Sequence, residues 1–272
     1  MSEPEQQARA SVSVCLAAHD GAPWIGELLT SVLAQLGPQD EVVVVDDAST
    51  DDTVAVVEAM ADPRIWLHRN ETNLGYVRAF DRAMRLSTGD VVLLADQDDV
   101  WVPGRVEAMV AALEQHGVVA TSVAVLGHPL EPPRWPLHAR DSSRRLANLV
   151  AVMIGVRWYF GCAIGVRRDL LATVLPIPGW LDESHDLWIG IVGNVLGEMV
   201  HLEHPSVARR LHDGNQTPLG WRGPVQILRA RWMLARCIGV AVRRTRSSRR
   251  CRPPLECHVV VEILSRWRRT SR

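Results

Sequence analysis

Three carboxylates stand within four positions in the segment Asp96-Gln97-Asp98-Asp99, directly after the apolar run 91–95. Crowded carboxylates repel one another, and a nearby cation is what allows all of them to stay ionised. Such oxygen ligands suit Mg²⁺ or Mn²⁺, which proteins commonly hold through one or two carboxylates and the phosphates of a substrate. The segment therefore predicts a divalent-cation site that would bridge a diphosphate and stabilise charge on a leaving group. The alternative is a solvated acidic loop.

A second acidic pair, Asp46-Asp47, ends the valine-rich run 41–45. One of these carboxylates could accept a hydrogen bond from a base or a ribose hydroxyl. The pair and the residues after it could equally serve only to cap the following helix. The sequence leaves both interpretations open.

The elements that would position these acids alternate in type. Strand patterns at 11–17, 41–45, 64–68 and 90–94 are separated by helical patterns at 24–35, 52–60 and 76–86, and a further helix is predicted at 102–115. This order predicts an α/β fold with a mostly parallel sheet and helices on both faces. Because ligands bind beyond the carboxyl ends of such strands, we expect residues 18–20, the 46–47 pair and the 96–99 segment to lie together.

Composition excludes several classes of enzyme. All 30 basic residues are arginine, so neither a phosphate-binding loop with its lysine nor a Schiff-base lysine is possible. The five cysteines are odd in number and form no Cys-x-x-Cys pair, which favours reduced thiols and a cytoplasmic protein. Residues 1–10 are polar and acidic, so we interpret them as a flexible N-terminus and not as a secretory signal.

Charge is distributed unevenly along the chain. Residues 1–220 contain 16 arginines against 29 acidic residues, whereas residues 221–272 contain 14 arginines and two glutamates. We interpret 221–272 as a basic, amphipathic helical tail in two pieces, broken at Pro253-Pro254. Its arginines could contact nucleic-acid phosphates, but the interleaved apolar residues favour an anionic membrane surface, and nucleic acid is not an expected partner.

The middle of the chain is less regular. Residues 129–136 contain four prolines and are predicted to form a loop, and 144–210 are predicted to be mostly helical with short strands near Cys162 and His201. The apolar stretch 146–166 is long enough to suggest a transmembrane helix. Arg157 and two glycines favour a buried helix that leads into a core strand. We therefore divide the chain into residues 11–125, residues 126–220 and the tail 221–272.

Several blocks of sequence, in this order, closely resemble the family 2 glycosyltransferases of the GT-A fold. The blocks are residues 12–20, EVVVVDDASTDDT at 41–53, Asn73-Leu74-Gly75 with Arg78, Thr88-Gly89-Asp90, and LADQDDVWVPGR at 94–105. The form Asp-Gln-Asp-Asp-x-Trp is particularly similar to a rhamnosyltransferase-like branch. The resemblance implies a GT-A-like, Rossmann-like sheet, to which the tail adds a basic helical appendage.

The resemblance also implies a nucleoside-diphosphate sugar as donor, with dTDP- or UDP-linked sugars favoured. It assigns nucleotide-sugar binding to residues 11–125, and acceptor binding and catalysis to residues 126–220. It places Ala17 and His19 near the base and Asp47 on the base or ribose. It lines the nucleotide pocket with Asn73, Gly75 and Arg78, and assigns ribose and metal to Asp96, Asp98 and Asp99. The chain departs from the family pattern at His19, Asp20 and Ala79, which leaves the base contacts and the donor open.

Further matches lie in the second half. Gly161-Cys162 with Arg167 resembles the strand and loop that frame the donor sugar and the acceptor. His185-Asp186-Leu187-Trp188 resembles the catalytic segment, which implies that Asp186 is the general base of a single, inverting displacement. Without the upstream motifs, a helix-terminal carboxylate would be the simpler interpretation of Asp186. The segment 210–215 resembles a closing loop, in which His212 would meet the metal or diphosphate and Arg209 or Arg210 the phosphates.

A phosphatase of the haloacid-dehalogenase type is the alternative enzyme. Its signature, an apolar strand that ends in Asp-x-Asp, is nearly met by Asp96 and Asp98, and Asp96 would then be a nucleophile. That class normally opens with its signature, whereas three strand–helix units precede it here. We therefore expect an inverting, metal-dependent transfer of a hexose or deoxyhexose to a hydroxyl acceptor, in glycan or natural-product biosynthesis.

Overall fold

The computed structural model describes residues 9–129, 136–212 and 223–251. The strands are β1 (Val12–Ala18), β2 (Glu41–Asp46), β3 (Ile65–Arg69), β4 (Val91–Asp96), β5 (Val100–Trp101), β6 (Val118–Val125), β7 (Ile164–Arg167) and β8 (Met199–Arg209). The helices are α1 (Ile25–Leu33), α2 (Thr53–Ala59), α3 (Tyr76–Leu86), α4 (Arg105–Gln115), α5 (Arg145–Ile154), α6 (Arg168–Val174), α7 (His185–Leu196) and α8 (Pro224–Cys251).

The strands form one sheet in the order β3-β2-β1-β4-β7-β6-β8-β5. The pairs β3–β2, β2–β1, β1–β4 and β6–β8 are parallel, and β7 and β5 run against their neighbours. The alternation of strand and helix predicted for the first half is thus confirmed, with ends displaced by no more than three residues. Beyond β4 the sheet continues through β7, β6, β8 and β5, so that strands of the second half complete it.

Two apolar cores lie on opposite faces of the sheet. Side chains alternate between them along each central strand: Val14 and Leu16 of β1 join one core and Cys15 the other. The helices α1, α2 and α4 cover the first face, and α3, α6, α7 and α8 cover the second. Helices on both faces, as predicted, leave the ends of the strands as the accessible edges of the sheet.

The apolar stretch 146–166 divides as predicted into a helix, α5, and a core strand, β7. The expectation that the helix is buried is wrong, however. Of its residues only Asn148 and Val152 are buried, and Leu146 is 79% exposed. Within the described ranges, no helix is both long enough and apolar enough to cross a membrane.

The basic tail begins with a long helix that belongs to the body of the protein. Leu234, Cys237 and Ala241 of α8 are buried in one of the two cores, and Arg244 donates to the backbone oxygen atoms of Thr173 and Val174. The first piece of the tail is therefore helical, as predicted, but one side of it is core. The predicted second piece and the break at 253–254 lie outside the described residues, as do most of the N-terminal segment and of the proline-rich loop.

Candidate active site

The three polar loops predicted to converge do so because of strand register. Ala18 at the end of β1 pairs with Asp46 at the end of β2, and Ala17 pairs with Asp96 at the end of β4. All three strands are parallel, so the residues that follow them leave the sheet at one edge. The 18–20, 46–47 and 96–99 segments therefore form one site, as expected from the sequence.

Gln97 joins the first and third of these loops. Its Nε2 donates to the backbone oxygen of His19 at 2.8 Å, and its Oε1 accepts from the backbone nitrogen of His19 at 2.8 Å. A side chain at Gly21 would collide with Gln97, because an added Cβ would lie 2.3 Å from Oε1. The ring of His19 is 43% exposed, and its Nε2 lies 3.0 Å from Nδ2 of Asn73. His19 and Asn73, both predicted to line the nucleotide pocket, are thus neighbours.

Asp47 is buried and organises the loop that follows β3. Its carboxylate accepts hydrogen bonds from the backbone nitrogens of Leu74 at 3.0 Å and Gly75 at 2.7 Å, and from Nδ2 of Asn70 at 2.6 Å. Gly75 has a φ of 85°, a region that favours glycine, immediately before α3 begins. Asp47 therefore shapes the loop between β3 and α3 through its backbone, and the contact of Asp47 with base or ribose stays a prediction.

Arg78 makes contacts that its sequence position alone did not indicate. Its guanidinium donates to the backbone oxygens of Ile177 at 3.1 Å, Pro178 at 2.9 Å and Leu181 at 2.6 Å. These bonds tie α3 to the segment that leads into α7. Arg78 thereby positions that segment, and a role in lining the nucleotide pocket stays a prediction.

Asp96 and Asp99 face a buried thiol. Ligand atoms of Asp96, Asp99 and Cys162 all lie within 4.8 Å of one another. Burial raises the pKa of Asp96 to about 6, and the charge of Asp98 adds to the rise. Burial likewise raises the pKa of Asp99 to about 7, with further contributions from Asp96 and Asp98. The crowding predicted from the sequence is therefore real, and it makes a positive partner favourable.

Two arginines supply positive charge beside this cluster. Arg209, at the end of β8, lies with its Cζ 5.0 Å from the ring centre of Phe160. Burial works to lower the pKa of Arg209, but the acids around it outweigh burial and the pKa is raised. Its Nε has no hydrogen-bond partner among the described residues. This charge, which the sequence suggested for phosphate binding, stands next to the carboxylates.

Arg105 lies beneath the cluster and is fully buried. It donates to the backbone oxygen of Cys162 at 2.7 Å and to that of Leu94 at 3.3 Å, and also to the hydroxyl of Ser206. Its Cζ lies 4.4 Å from the ring centre of Trp101. Burial lowers the pKa of Arg105 to about 10. The sequence gave Arg105 no role of its own, although it lies in one of the motifs. The structure shows that Arg105 connects β4, the turn at 161–163 and β8.

The side chain of Asp98 contacts the residues that follow β8. Its Oδ2 lies 2.8 Å from Nε2 of His212, and the His212 ring stacks on Trp24 with centroids 4.3 Å apart. The backbone nitrogen of Arg210 donates to Oδ1 of Asp99 at 3.2 Å. The segment 210–212 therefore lies against the acidic loop. Of the predicted metal ligands, Asp98 and His212 are in direct contact, and the backbone of Arg210 connects them to Asp99.

The donor set fits a hard divalent cation in part. Oδ2 of Asp99 is buried and has no hydrogen-bond partner among the described residues, which is what a carboxylate oxygen reserved for a ligand would show. Cys162 fits poorly, because burial and the nearby acids raise the pKa of its thiol well above the usual value, and a neutral thiol is a weak ligand for Mg²⁺ or Mn²⁺. The carboxylates are thus the suitable ligands.

Asp186 lies in the first turn of α7, and a Cβ added at Gly161, the neighbour of Cys162, would lie 3.9 Å from its Cβ. Burial raises the pKa of Asp186 to about 7, although Leu187 donates a backbone hydrogen bond to its Oδ1 at 2.7 Å, and the charge of Asp96 raises it further. The two carboxylates are therefore within electrostatic reach. Asp186 is only partly accessible to solvent.

His185 fixes the start of α7 against the rest of the site. Its buried ring stacks on Phe80, with centroids 4.4 Å apart, and burial lowers its pKa to about 3. A Cβ added at Gly161 would lie 2.7 Å from Nε2 of His185. The short 3₁₀ turn at 161–163 therefore packs directly on the beginning of α7, which places Gly161 next to Asp186.

One expectation from the second half is wrong. Arg167 pairs with Val91, at the beginning of β4, whereas the acidic loop follows the end of that strand. Its side chain bonds to Asp169 at 2.8 Å near the surface. Because β7 runs antiparallel to β4, only its first residues approach the site. Gly161 and Cys162 lie there, and Arg167 lies at the opposite edge.

The carboxyl edge of this α/β sheet thus gathers the acidic cluster, the carboxyl of Asp186 and a buried arginine. The chain belongs to Glycosyl transferase family 2, whose family model matches residues 13–175. This assignment excludes the phosphatase alternative.

Individual relatives agree with the family. An uncharacterized glycosyltransferase of Nostoc is 29% identical over 174 residues, 61% of this chain and 53% of that protein. A UDP-Glc:α-D-GlcNAc-diphosphoundecaprenol β-1,3-glucosyltransferase of Escherichia coli is 29% identical over 107 residues, 39% of this chain and 43% of that protein. The chain thus spans about half the length, or less, of these two relatives.

Solved structures share the fold. A Staphylococcus aureus TarS fragment in complex with UDP-GlcNAc superposes with a TM-score of 0.64 at 20% identity, covering 84% of this chain and 66% of that one. A mannosyltransferase from Pyrobaculum calidifontis, in complex with GDP-Man and Mn²⁺, gives 0.54 at 19% identity and covers 97% and 82%. The predicted GT-A-like fold is confirmed.

Proposed function

We propose that the protein transfers a hexose or deoxyhexose from a nucleoside diphosphate to a hydroxyl acceptor, with inversion at the anomeric carbon. The observation that carries the proposal is the position of Asp186 beside Gly161, where an added Cβ would lie 3.9 Å from Cβ of Asp186, next to the cluster of Asp96, Asp99 and Cys162. A carboxylate with a pKa near neutrality is suited to remove a proton from the acceptor hydroxyl. The acidic loop, through a bound cation, and Arg209 are suited to bind the diphosphate.

The donor side of the site lies between the loops after β1, β2 and β3. We assign the base and ribose to the surroundings of Ala17, His19, Asp47, Asn73 and Gly75, in agreement with the contact between His19 and Asn73. UDP- or dTDP-linked sugars are the preferred candidates. The Escherichia coli relative named for UDP-Glc supports a uridine donor, and the Asp-Gln-Asp-Asp-x-Trp motif supports a dTDP-linked deoxysugar such as rhamnose.

A divalent cation, Mg²⁺ or Mn²⁺, would be held by Asp98 and Asp99, with His212 beside them. When bound, it would neutralise the diphosphate and make it a better leaving group. The unpartnered oxygen of Asp99 and the Mn²⁺ in the Pyrobaculum structure support this assignment. Arg209 would add a fixed positive charge from the other side of the cluster.

The proposed reaction is a single displacement. The acceptor oxygen forms a bond to the anomeric carbon while the bond from that carbon to the diphosphate oxygen breaks. The acceptor proton passes to a carboxylate oxygen of Asp186, and the electron pair of the broken bond leaves with the diphosphate. Attack opposite to the leaving group inverts the anomeric configuration.

For the acceptor we favour the hydroxyl of a lipid-linked glycan, presented at the inner face of the membrane to a cytoplasmic, peripherally bound enzyme. The Escherichia coli relative is named for an acceptor on a diphosphoundecaprenol carrier. Within this scheme the 11–125 half binds the donor and the 126–220 half the acceptor. A secondary metabolite is the alternative acceptor.

The proposal can be tested without the acceptor. The full-length protein is incubated with UDP-, dTDP- and GDP-sugars and Mn²⁺, and the slow transfer of sugar to water is followed by proton nuclear magnetic resonance. We expect one nucleotide class to be consumed and the first sugar anomer released to be inverted. Release of the retained anomer would contradict the single displacement, and hydrolysis of none of the donors would contradict the donor class.

A further inference from the structure

A stripe of large apolar side chains lies exposed along α5. Leu146, Val150 and Ile154 are 79%, 59% and 61% exposed, and their spacing of four residues places them on one face of the helix. Val156 and Trp158, directly after the helix, are 43% and 41% exposed. Singly exposed apolar residues are ordinary, but an exposed contiguous row indicates a binding surface.

The first half of α8 carries a second stripe. Val225, Leu228 and Trp232, spaced by three and four residues, are 61%, 69% and 69% exposed. This face lies opposite the one formed by Leu234 and Cys237, which is buried against the core. Val225, Leu228 and Trp232 are therefore exposed although the opposite face of α8 is packed against the core.

The two stripes belong to one surface. The helices α5 and α8 are in contact, and the guanidinium of Arg231 lies so close to Gly155 that an added Cβ would be 2.6 Å from its Nη2. Both helices also pack on α7. The α5–α8 surface is defined here by the six most exposed of these side chains, Leu146, Val150, Ile154, Val225, Leu228 and Trp232.

The charged side chains of α5 and α8 themselves are of one sign, and Asp141, just before α5, pairs with Arg144 and Arg157. α8 contains eight arginines and neither aspartate nor glutamate, and α5 contains one arginine and no acid. Arg144 and Arg145 at the start of α5, and Arg229 and Arg236 on α8, are exposed. Apolar side chains bordered by arginines match the boundary between anionic head groups and acyl chains.

We propose that the α5–α8 surface docks the protein on an anionic phospholipid bilayer, with Leu228 and Trp232 of α8 and Val150 of α5 inserted below the head groups. Nucleic acid would require the arginines but would gain little from the apolar rows. The inference refines the membrane location within the proposed function, yet it concerns binding alone. Its test does not depend on turnover or on a donor.

The test is co-sedimentation of the full-length protein with vesicles of phosphatidylcholine and phosphatidylglycerol, and with vesicles of phosphatidylcholine alone. We expect binding to the anionic vesicles that weakens with salt. Trp232→Gln should lower the partition coefficient by about tenfold, and Val150→Gln by about threefold. Trp66→Gln is the matched control, because Trp66 is 56% exposed on β3, at the far edge of the sheet, and it should bind like the wild type.

Three outcomes would overturn the proposal. The first is equal partitioning of Trp232→Gln and the wild type, with thermal melting confirming that both are folded. The second is the absence of binding to anionic vesicles. The third is a dimer, seen by analytical ultracentrifugation, that Trp232→Gln dissociates while vesicle binding is unchanged, since this would assign the surface to a second copy of the chain. Failure here would leave donor consumption unaffected, so the two proposals are separable.

Discussion

Nε2 of His212 lies 2.8 Å from Oδ2 of Asp98, although the two residues are 114 positions apart in the chain. The contact forms because β8 runs beside β6 and delivers residues 210–212 to the edge where β4 ends. Trp24 stacks on the other side of the His212 ring. The acidic loop is thus contacted by both halves of the protein, and the predicted metal ligands are assembled by the fold.

Removing Asp98 should therefore weaken nucleotide binding that depends on a cation. Asp98→Ala is expected to lower the affinity for the nucleoside diphosphate in the presence of Mn²⁺ by at least about tenfold, because a carboxylate ligand is lost. Calorimetric titration measures the change. Glu107→Ala removes an exposed acid from α4 and serves as the control. Unchanged affinity in Asp98→Ala would show that Asp98 is not a metal ligand.

Asp186→Asn should stop transfer while the donor still binds. We expect a fall in kcat of about 10²- to 10⁴-fold, the range for loss of a general base, with an unchanged dissociation constant for the nucleotide. Asp182→Asn, an exposed acid four positions earlier, should keep its activity. An Asp186→Asn enzyme with near wild-type kcat would mean that another group takes the proton.

The wild-type rate should also depend on pH through the same carboxyl. Burial raises the pKa of Asp186 to about 7, and only the ionised form can accept a proton. The value of kcat/KM should therefore rise with pH up to about 7 and level off above it. A profile that is flat between pH 5 and 8 would contradict this assignment.

Asp99→Asn should stabilise the protein in the absence of metal. The pKa of Asp99 in the folded state is raised to about 7 from the usual 3.8. The folded state therefore favours the protonated carboxyl, and the free energy of unfolding falls as the pH rises toward 7 and Asp99 ionises. Asparagine does not carry this cost, so at pH 8 the variant should gain about 1–3 kcal/mol in free energy of unfolding. Urea unfolding with a chelator measures it, and the gain should nearly vanish at pH 4. An equal gain at both values would show that ionisation is not the cause.

Arg105→Leu should destabilise strongly. The substitution removes the side-chain donor to the backbone oxygens of Leu94 and Cys162 and a positive charge near Asp96 and Asp99. Loss of a buried charged partner typically costs about 3–5 kcal/mol. Arg85→Leu breaks only a surface pair with Asp81 and should change stability by about 0.5 kcal/mol or less. A small effect of Arg105→Leu in urea unfolding would mean that the loops are held by other contacts.

The sequence predicts the first four strands well because each is an apolar run that ends at a polar cluster. β6 was not predicted. Its buried Thr121 and Ser122 interrupt the apolar pattern, and they are accommodated because Thr121 bonds to Ser206 of β8, a partner that only the fold supplies. The exposure of α5 could not be predicted either, because an apolar composition does not determine which face of a helix is exposed to solvent.

The candidate site, too, could be predicted from the sequence only in part. The parallel direction of the strands follows from the βαβ order, so the meeting of Asp46, Asp96 and His19 at one edge could be predicted. The contacts of Arg78 and Arg105 could not, because both bond to backbone oxygens, which carry no sequence signal. Arg167 was misplaced because the direction of β7 depends on how the second half returns to the sheet.

The most direct test of the central claim is thermal melting of the full-length protein with UDP, dTDP or GDP, each with and without Mn²⁺. Binding at a hundredfold excess over the dissociation constant contributes about 2.7 kcal/mol, which corresponds to a shift of several degrees for a chain of this size. We predict that at least one nucleotide raises the melting temperature, and that it does so only with the cation. The absence of any shift with every nucleotide, with or without Mn²⁺, would contradict the assignment of the acidic edge as a nucleotide-sugar site.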